Sequence, residues 1–221
     1  MLVGRELTKT YGSQFALHQA SIELNPSSIT MLLGRNGSGK STLLNILALA
    51  QAPDSGSVEV DELSGRAARA AIGFVPQEIA LFEDLSIEEN LRCWCPLPAK
   101  AARERVDEVL VRLDLTDIRR KLLRNLSGGQ KRRVNLAVAL MGQPRYLLLD
   151  EPLAGVDEDN EQRILELLAD YARQGVGVLI SSHQPRVLRG LADQALVLER
   201  GETIFAGQAA DYYDSLMERE L

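Results

Sequence analysis

The sequence predicts an α/β fold with a mostly parallel sheet and a helical insertion, and three observations predict it. Several short runs, TMLL (30–33), YLLL (146–149) and VLIS (178–181), are apolar without alternation. Strands buried on both faces read that way, and they belong to parallel sheets covered by helices. Segments with helical periodicity lie between those runs, and that alternation defines the class. The stretch from Glu78 to Gln143 is different: it is nearly all helix-like and holds no convincing strand.

In chain order, strands are expected at Ser21–Leu24, Ile29–Leu33, Val58–Val60, Ile72–Val75, Tyr146–Leu149, Val178–Ser181, Ala195–Leu198 and Thr203–Phe205. After Ile29–Leu33, the residues Leu43, Leu44, Ile46 and Leu47 suit a helix buried nearly all round. Within the insertion, Lys100–Leu113 puts Val106, Val109, Leu110 and Leu113 on one stripe, and Lys131–Met141 is helix-like. Gln162–Arg173 repeats the stripe with Ile164, Leu167, Leu168 and Tyr171. Arg200-Gly201 suits a tight hairpin between the last two strands. The organisation expected is one domain, with a core of about 1–77 and 144–206 and an insertion of about 78–143.

The 221 residues carry 45% hydrophobic and 25% charged side chains, ordinary globular usage that argues against disorder. Lys and Arg number 25 against 31 Asp and Glu, and that acidic balance argues against phosphate-backbone binding to nucleic acid. Cys93 and Cys95 form a Cys-x-Cys pair, too few ligands for a structural zinc and a poor disulfide framework, so two reduced thiols are expected. The opening MLVGRELTKTYG is charged where a signal peptide needs an apolar run. The longest apolar-rich run, Leu43–Ala50, is far shorter than a membrane span, so a soluble chain is expected and any membrane role needs a partner.

Gly34–Thr42 reads GRNGSGKST and matches G-x-x-x-x-G-K-[ST] between an apolar strand and a helix, the context the motif requires. Gly34, Gly37 and Gly39 let the backbone curl, so that N–H groups along Gly34, Asn36, Gly37, Ser38, Gly39 and Thr42 can point at phosphate oxygens. The helix start adds its positive dipole end. Lys40 can reach β- and γ-phosphates, and the Ser41 hydroxyl can ligate Mg²⁺. A glycine-rich turn is the bland alternative. A chance match in this chain is on the order of one in a hundred, which favours a nucleotide.

Tyr146–Leu149 ends in Asp150 and Glu151, and ligands in open α/β sheets bind beyond the carboxyl ends of strands. Asp150 has the place of an acid that holds Mg²⁺, and Glu151 suits a group that orients or deprotonates an attacking water. Acids in an ordinary strand-to-loop turn are the bland reading. Gln77 and His183 also end strands, so both can lie on that edge; His18 has no such context and reads as surface. Leu126–Gln130 reads LSGGQ before a helix, again a hydroxyl and N–H groups at a helix start. It binds a second phosphate, or serves a nucleotide held by another subunit, or Ser127 is simply an N-cap.

Taken together these motifs resemble the nucleotide-binding subunit of an ATP-binding cassette (ABC) transporter, over roughly residues 2–206. GRNGSGKST resembles the Walker A loop, Gln77 in FVPQ the Q-loop, LSGGQ the signature and YLLLDE the Walker B strand. Ala154–Asp157 resembles the D-loop with Asp157, His183 in SSH the switch histidine, and Tyr11 in KTYG the aromatic that stacks on adenine. The resemblance implies a phosphate-loop ATPase core, a small antiparallel β subdomain and a helical subdomain. It implies ATP and Mg²⁺, with Ser41, Gln77 and Asp150 around the metal and Glu151, Gln77 and His183 serving hydrolysis. It implies a head-to-tail dimer with a second such subunit, identical or a close paralogue. There Ser127, Gly128, Gly129 and Gln130 bind the partner chain's ATP. Transmembrane subunits would hold the chain at the inner face of the membrane through a groove near the Q-loop.

Ser27-Ser28 and Gln184 depart from the family's usual residues without touching these roles. KRRVNLAVAL after the signature resembles the branch that exports drugs, lipids, polysaccharides or peptides. Only about 15 residues follow the last expected strand, too few for the C-terminal regulatory domain of some sugar importers. The alternative is a soluble ABC ATPase acting on ribosomes or DNA, which one cassette, no heptad run and an acidic balance disfavour. Trp94, the only tryptophan, is expected as a core anchor, with contact to a membrane subunit as the alternative.

Overall fold

The computed structural model describes residues 1–219. Its centre is a six-stranded sheet in the order β5-β6-β7-β3-β8-β9. These strands are β5 (Ile72–Val75), β6 (Tyr146–Leu149), β7 (Gly177–Ser182), β3 (Ile29–Leu33), β8 (Gln194–Glu199) and β9 (Glu202–Gln208). All pairs are parallel except β8–β9. That last pair is a hairpin, and its two central residues, Arg200 (φ 51°) and Gly201 (φ 85°), both have the positive φ of a type I′ turn.

The apolar runs are explained by what covers each face. Along β6, Leu147 and Leu149 pack on one side while Tyr146 and Leu148 pack on the other. The first side is covered by α4 (Ala99–Arg112), α5 (Gly128–Leu140) and α6 (Glu158–Arg173), which bury Val106, Val109, Leu110, Val134, Leu136, Ile164 and Leu168. The second side is covered by α1 (Lys40–Leu47), whose Leu43, Leu44, Ile46 and Leu47 are completely buried. Beyond α1 lies a three-stranded antiparallel sheet, β2-β1-β4, made of β1 (Leu2–Tyr11), β2 (Gln14–Leu24) and β4 (Ser55–Val60). A helix with a sheet on either side needs apolar residues on both of those faces, and Leu43, Leu44, Ile46 and Leu47 supply them while Ser41 stays exposed.

β1 is absent from the sequence reading and β2 begins seven residues earlier than expected. Glu6 (φ 48°) and Gln19 (φ 52°) interrupt these strands, and the β1–β2 register shifts between Gly4 and Thr10. Bulges of this kind break the period-2 pattern by which strands are recognised. Two further helices lie outside the expectations, α2 (Gly65–Ala70) and α7 (Ala209–Arg219).

Between Val75 and Tyr146 the chain forms α3 (Ile87–Cys93), α4, α5 and two short 3₁₀ turns, with a single bridge, Ser86 to Leu122. α3 starts on a capping box of Ser86 and Glu89. The buried Asn90 amide orders the approach to it, accepting from Phe82 N at 2.9 Å and donating to the carbonyls of Phe82, Leu85 and Ser86. Trp94 is no core anchor: it is half-exposed and stacks on the equally exposed Phe82 with centroids 6.3 Å apart. Both cysteines are free thiols. Among the described residues no helix is long and apolar enough to cross a membrane.

Candidate active site

Parallel pairing brings the carboxyl ends of β3, β5, β6 and β7 to one edge of the central sheet. The segment after β3 wraps tightly, with positive φ at Gly34, Gly37 and Gly39. At Gly39 the reason is a close approach as well as the dihedral: a Cβ there would stand 2.3 Å from the carbonyl oxygen of Ala16 on β2. Gly39 is also the N-cap of α1 and offers no side-chain acceptor, so the first N–H groups of the helix remain for an anion. The Lys40 side chain is nearly buried. Its Nζ donates to Gly34 O at 2.8 Å and Arg35 O at 3.4 Å and lies 3.8 Å from Glu151 Oε1.

β6 delivers the two acids. Asp150 is 3% exposed and its Oδ1 accepts from Ser181 Oγ at 2.7 Å. Glu151 sits at φ 46° and its N–H donates to the same Ser181 oxygen at 2.8 Å. Glu151 Oε1 also lies 3.7 Å from His183 Nδ1, at the end of β7. The turn carrying His183 is closed by the Gln184 N–H, which donates to Ser182 Oγ at 3.0 Å. Lys40 and His183 thus both approach the same oxygen of the Glu151 carboxylate.

A cleft of about 550 Å³ runs along this edge. Tyr11 and Phe15 border it at one end, Gln77 and Glu151 also line it, and Asn36, Gly37, Gly39, Lys40, Ser41 and Thr42 form its wall. The Tyr11 phenol exchanges hydrogen bonds with the Gln51 amide, which fixes an exposed ring at the cleft. Gly34 and Ser38 border a neighbouring hollow of about 860 Å³ on the His183 side of the loop instead. Gln14 and Phe15 escaped the sequence reading, and Ser181 entered it only as a strand residue beside the switch histidine. The ring in QFAL shortly after Tyr11 is the only signal for Phe15, and a serine in an apolar strand gives none for Ser181.

The second glycine motif is not part of this cleft: none of residues 127–130 lines it. Ser127 caps α5, accepting from Gln130 N at 3.2 Å, while the Gln130 side chain accepts from Ser127 N at 3.1 Å. Gly128 and Gly129 open the helix. One turn further on, Arg132 donates to the main-chain carbonyl of Gln77 at 2.7 Å, and Asn135 donates to Pro76 O at 3.3 Å. Asp157 caps α6 through Asn160 N at 3.0 Å and Asn160 Nδ2 at 2.7 Å. Those two donors hold its carboxyl below the usual carboxylate range.

The residues fit a divalent cation by the chemistry of their donors. Ser41 offers a hydroxyl, Gln77 an amide oxygen and Asp150 a carboxylate, all hard oxygen ligands of the kind Mg²⁺ takes. Ser181 takes one lone pair of Asp150 Oδ1, and the other lone pairs of the carboxylate would be left to hold a cation.

A doubly covered parallel sheet, a phosphate loop and a carboxylate beside a buried lysine define a phosphate-loop nucleoside triphosphatase. The ABC transporter family model matches residues 17–154. The lipopolysaccharide export system ATP-binding protein LptB of Acidithiobacillus ferridurans is 32% identical over 230 residues, covering 100% of this chain and 95% of that protein. The linearmycin resistance ATP-binding protein LnrL of Bacillus subtilis is 34% identical over 218 residues, 96% of this chain and 70% of that one. A solved dimeric ATP-binding cassette in a post-hydrolysis state with ADP and Pi is 28% identical with a TM-score of 0.85, covering 95% of this chain and 99% of that one. The chain belongs to the ABC transporter family. It is an ATP-binding subunit that hydrolyses ATP.

Proposed function

We propose that the chain drives export through separate membrane subunits, working as one half of a head-to-tail pair at the cytoplasmic face of the membrane. The observation that carries the hydrolytic part is the placement of Glu151, 3.8 Å from Lys40 and 3.7 Å from His183 at the cleft. Lys40 draws the β- and γ-phosphates, so a carboxylate beside it stands where an attacking water must be oriented. In this reading Tyr11 stacks on adenine, and the N–H groups of residues 34–42 hold the phosphates. Ser41, Gln77 and Asp150 hold Mg²⁺, which when bound neutralises charge on the phosphoryl oxygens. Glu151 takes the proton of the water, and His183 donates to the γ-phosphate oxygen that gains charge. Residues 127–130 serve the nucleotide of the second subunit, with Asp157 alongside, which accounts for their distance from the chain's own cleft.

Export is supported by relatives named for lipopolysaccharide export and for linearmycin resistance, matched over nearly all of this chain. The half-exposed Phe82–Trp94 stack, beside the segment that follows Gln77, is where membrane subunits dock. The test is affinity purification from detergent-solubilised membranes. A protein with about six spans, the expectation from the family, should copurify. A Phe82→Ser/Trp94→Ser variant should lose that partner while the isolated chain keeps its basal ATPase. Recovery with ribosomes or DNA and never with a membrane protein would overturn the transport reading.

A further inference from the structure

Ser181 opens the SSH motif and carries no role of its own there, yet it touches both acids. It lies in β7, is 1% exposed and sits one residue beyond Ile180, which pairs with Leu149 in the parallel register of β6 and β7. That register sets Ser181 level with Asp150. Its hydroxyl donates to Asp150 Oδ1 at 2.7 Å and accepts the Glu151 N–H at 2.8 Å. An ionised carboxylate only accepts and an amide N–H only donates, so the direction of both bonds is fixed and the single hydroxyl proton is committed to Asp150. Ser182 performs a different task at the next position, closing the turn that carries His183.

Both acids need such support. Asp150 N donates to Val75 O at 2.9 Å, which anchors its backbone to β5 but leaves the carboxyl free to rotate. Glu151 occupies φ 46°, a region that residues with side chains avoid, and such a backbone persists only when its surroundings fix it. The Ser181 oxygen is the acceptor that fixes it. We propose that Ser181 is a positioning residue for ATP hydrolysis: one buried hydroxyl orients the Asp150 carboxylate toward the cation and sets the backbone from which Glu151 reaches the water. The inference rests on the reading of Asp150 and Glu151 given above.

The test compares Ser181→Ala, which removes the hydroxyl, with Ser181→Thr, which keeps it. Partners that orient metal-bound groups typically contribute about 10- to 100-fold in metal affinity or activity. Ser181→Ala should therefore lower kcat by about 10-fold or more and raise the Mg²⁺ concentration for half-maximal ATPase by about 10-fold. Binding of a fluorescent ATP analogue in EDTA should stay within about twofold of wild type, and the gain in affinity on adding Mg²⁺ should shrink. Ser181→Thr should restore the Mg²⁺ dependence. An unchanged kcat and Mg²⁺ requirement in Ser181→Ala would overturn the proposal. So would equal losses in both variants with a matching fall in EDTA binding, the signature of damaged packing. Glu151→Gln is the control that separates the two levels. If it hydrolyses ATP at the wild-type rate, the reading of the acids fails; if it is inactive while Ser181→Ala is normal, only the positioning role fails.

Discussion

Gly39→Ala is the sharpest test of how the phosphate loop is built. The added Cβ would stand 2.3 Å from Ala16 O and 2.9 Å from a Leu17 methyl, so the loop and β2 must part by about 0.7 Å merely to reach a 3.0 Å contact. Ala16 O also lies close to Gly201, where an added Cβ would fall 2.9 Å from it. The hairpin is itself tied to both neighbours, through His18 N to Gly201 O at 2.9 Å and Gly201 N to Ser38 O at 3.0 Å. Forcing a methyl into this contact costs about 1–3 kcal/mol as overpacking. Holding alanine at φ 107° adds a further cost of about 1–3 kcal/mol. Gly37→Ala is the comparison: its φ is 79° but nothing lies within 4 Å of the new methyl, so only about 1–2 kcal/mol of backbone strain is expected. Urea unfolding should rank Gly39→Ala well below Gly37→Ala. Anisotropy of a labelled ATP analogue should show Gly39→Ala binding more than about 10-fold weaker, because the first N–H groups of α1 move with the loop. Equal unfolding midpoints and equal nucleotide affinities for the two variants would refute the reasoning.

Two further outcomes follow from the site and its surroundings. Lys40→Ala and Ser127→Arg should each be inactive, and an equimolar mixture should regain ATPase, up to about a quarter of the wild-type rate where a single intact site turns over alone, since half of the dimers then hold one intact site; no recovery together with no mixed dimer closed on ATP would contradict a signature acting across the dimer. Asp54 accepts from Lys9 Nζ, Thr10 N and Thr10 Oγ1, all at 2.7 Å, and these donors depress its carboxyl from 3.8 to about 2. Because the folded value lies below the unfolded one, the contribution is complete above about pH 4 and fades as the pH falls toward 2. The stability gap between wild type and Asp54→Asn should narrow across that window, and a gap constant from pH 6 to pH 3 would refute it.

What was legible in the sequence was what chemistry or double burial dictates. The continuous apolar runs of β3, β6 and β7 could hardly be anything but central strands, and the phosphate loop requires its glycines, Lys40 and Ser41. Gln77, Asp150 and His183 were legible as strand ends, and the sheet brings the segments that carry them to one edge. The antiparallel sheet was largely illegible because it is half-exposed and bulged at Glu6 and Gln19, so no period survives. Trp94 misled because rarity and size suggest a core, whereas only its stacking on Phe82, twelve residues away, reveals a surface pair. Ser181 was illegible for a different reason. Its importance comes from lying level with Asp150 across two strands that are 31 positions apart in the chain.

The contact between Arg132 and the Gln77 carbonyl ties two clocks to one shaft. Arg132 lies a single helical turn beyond Gly128, about 6 Å along α5. In the proposed pair the start of that helix would serve the neighbour's nucleotide, and its next turn grips the main chain of a residue lining the chain's own cleft. Lys131, bound to Glu83 at 3.0 Å, and Arg124, bound to Asp84 at 2.7 Å, extend the grip along the segment toward the Phe82–Trp94 stack. A rotation of α5 in that pair would pull on the lining of the chain's own cleft through the Gln77 and Pro76 carbonyls. In such a pair, two ATP molecules would report to one another through a lever a single turn long.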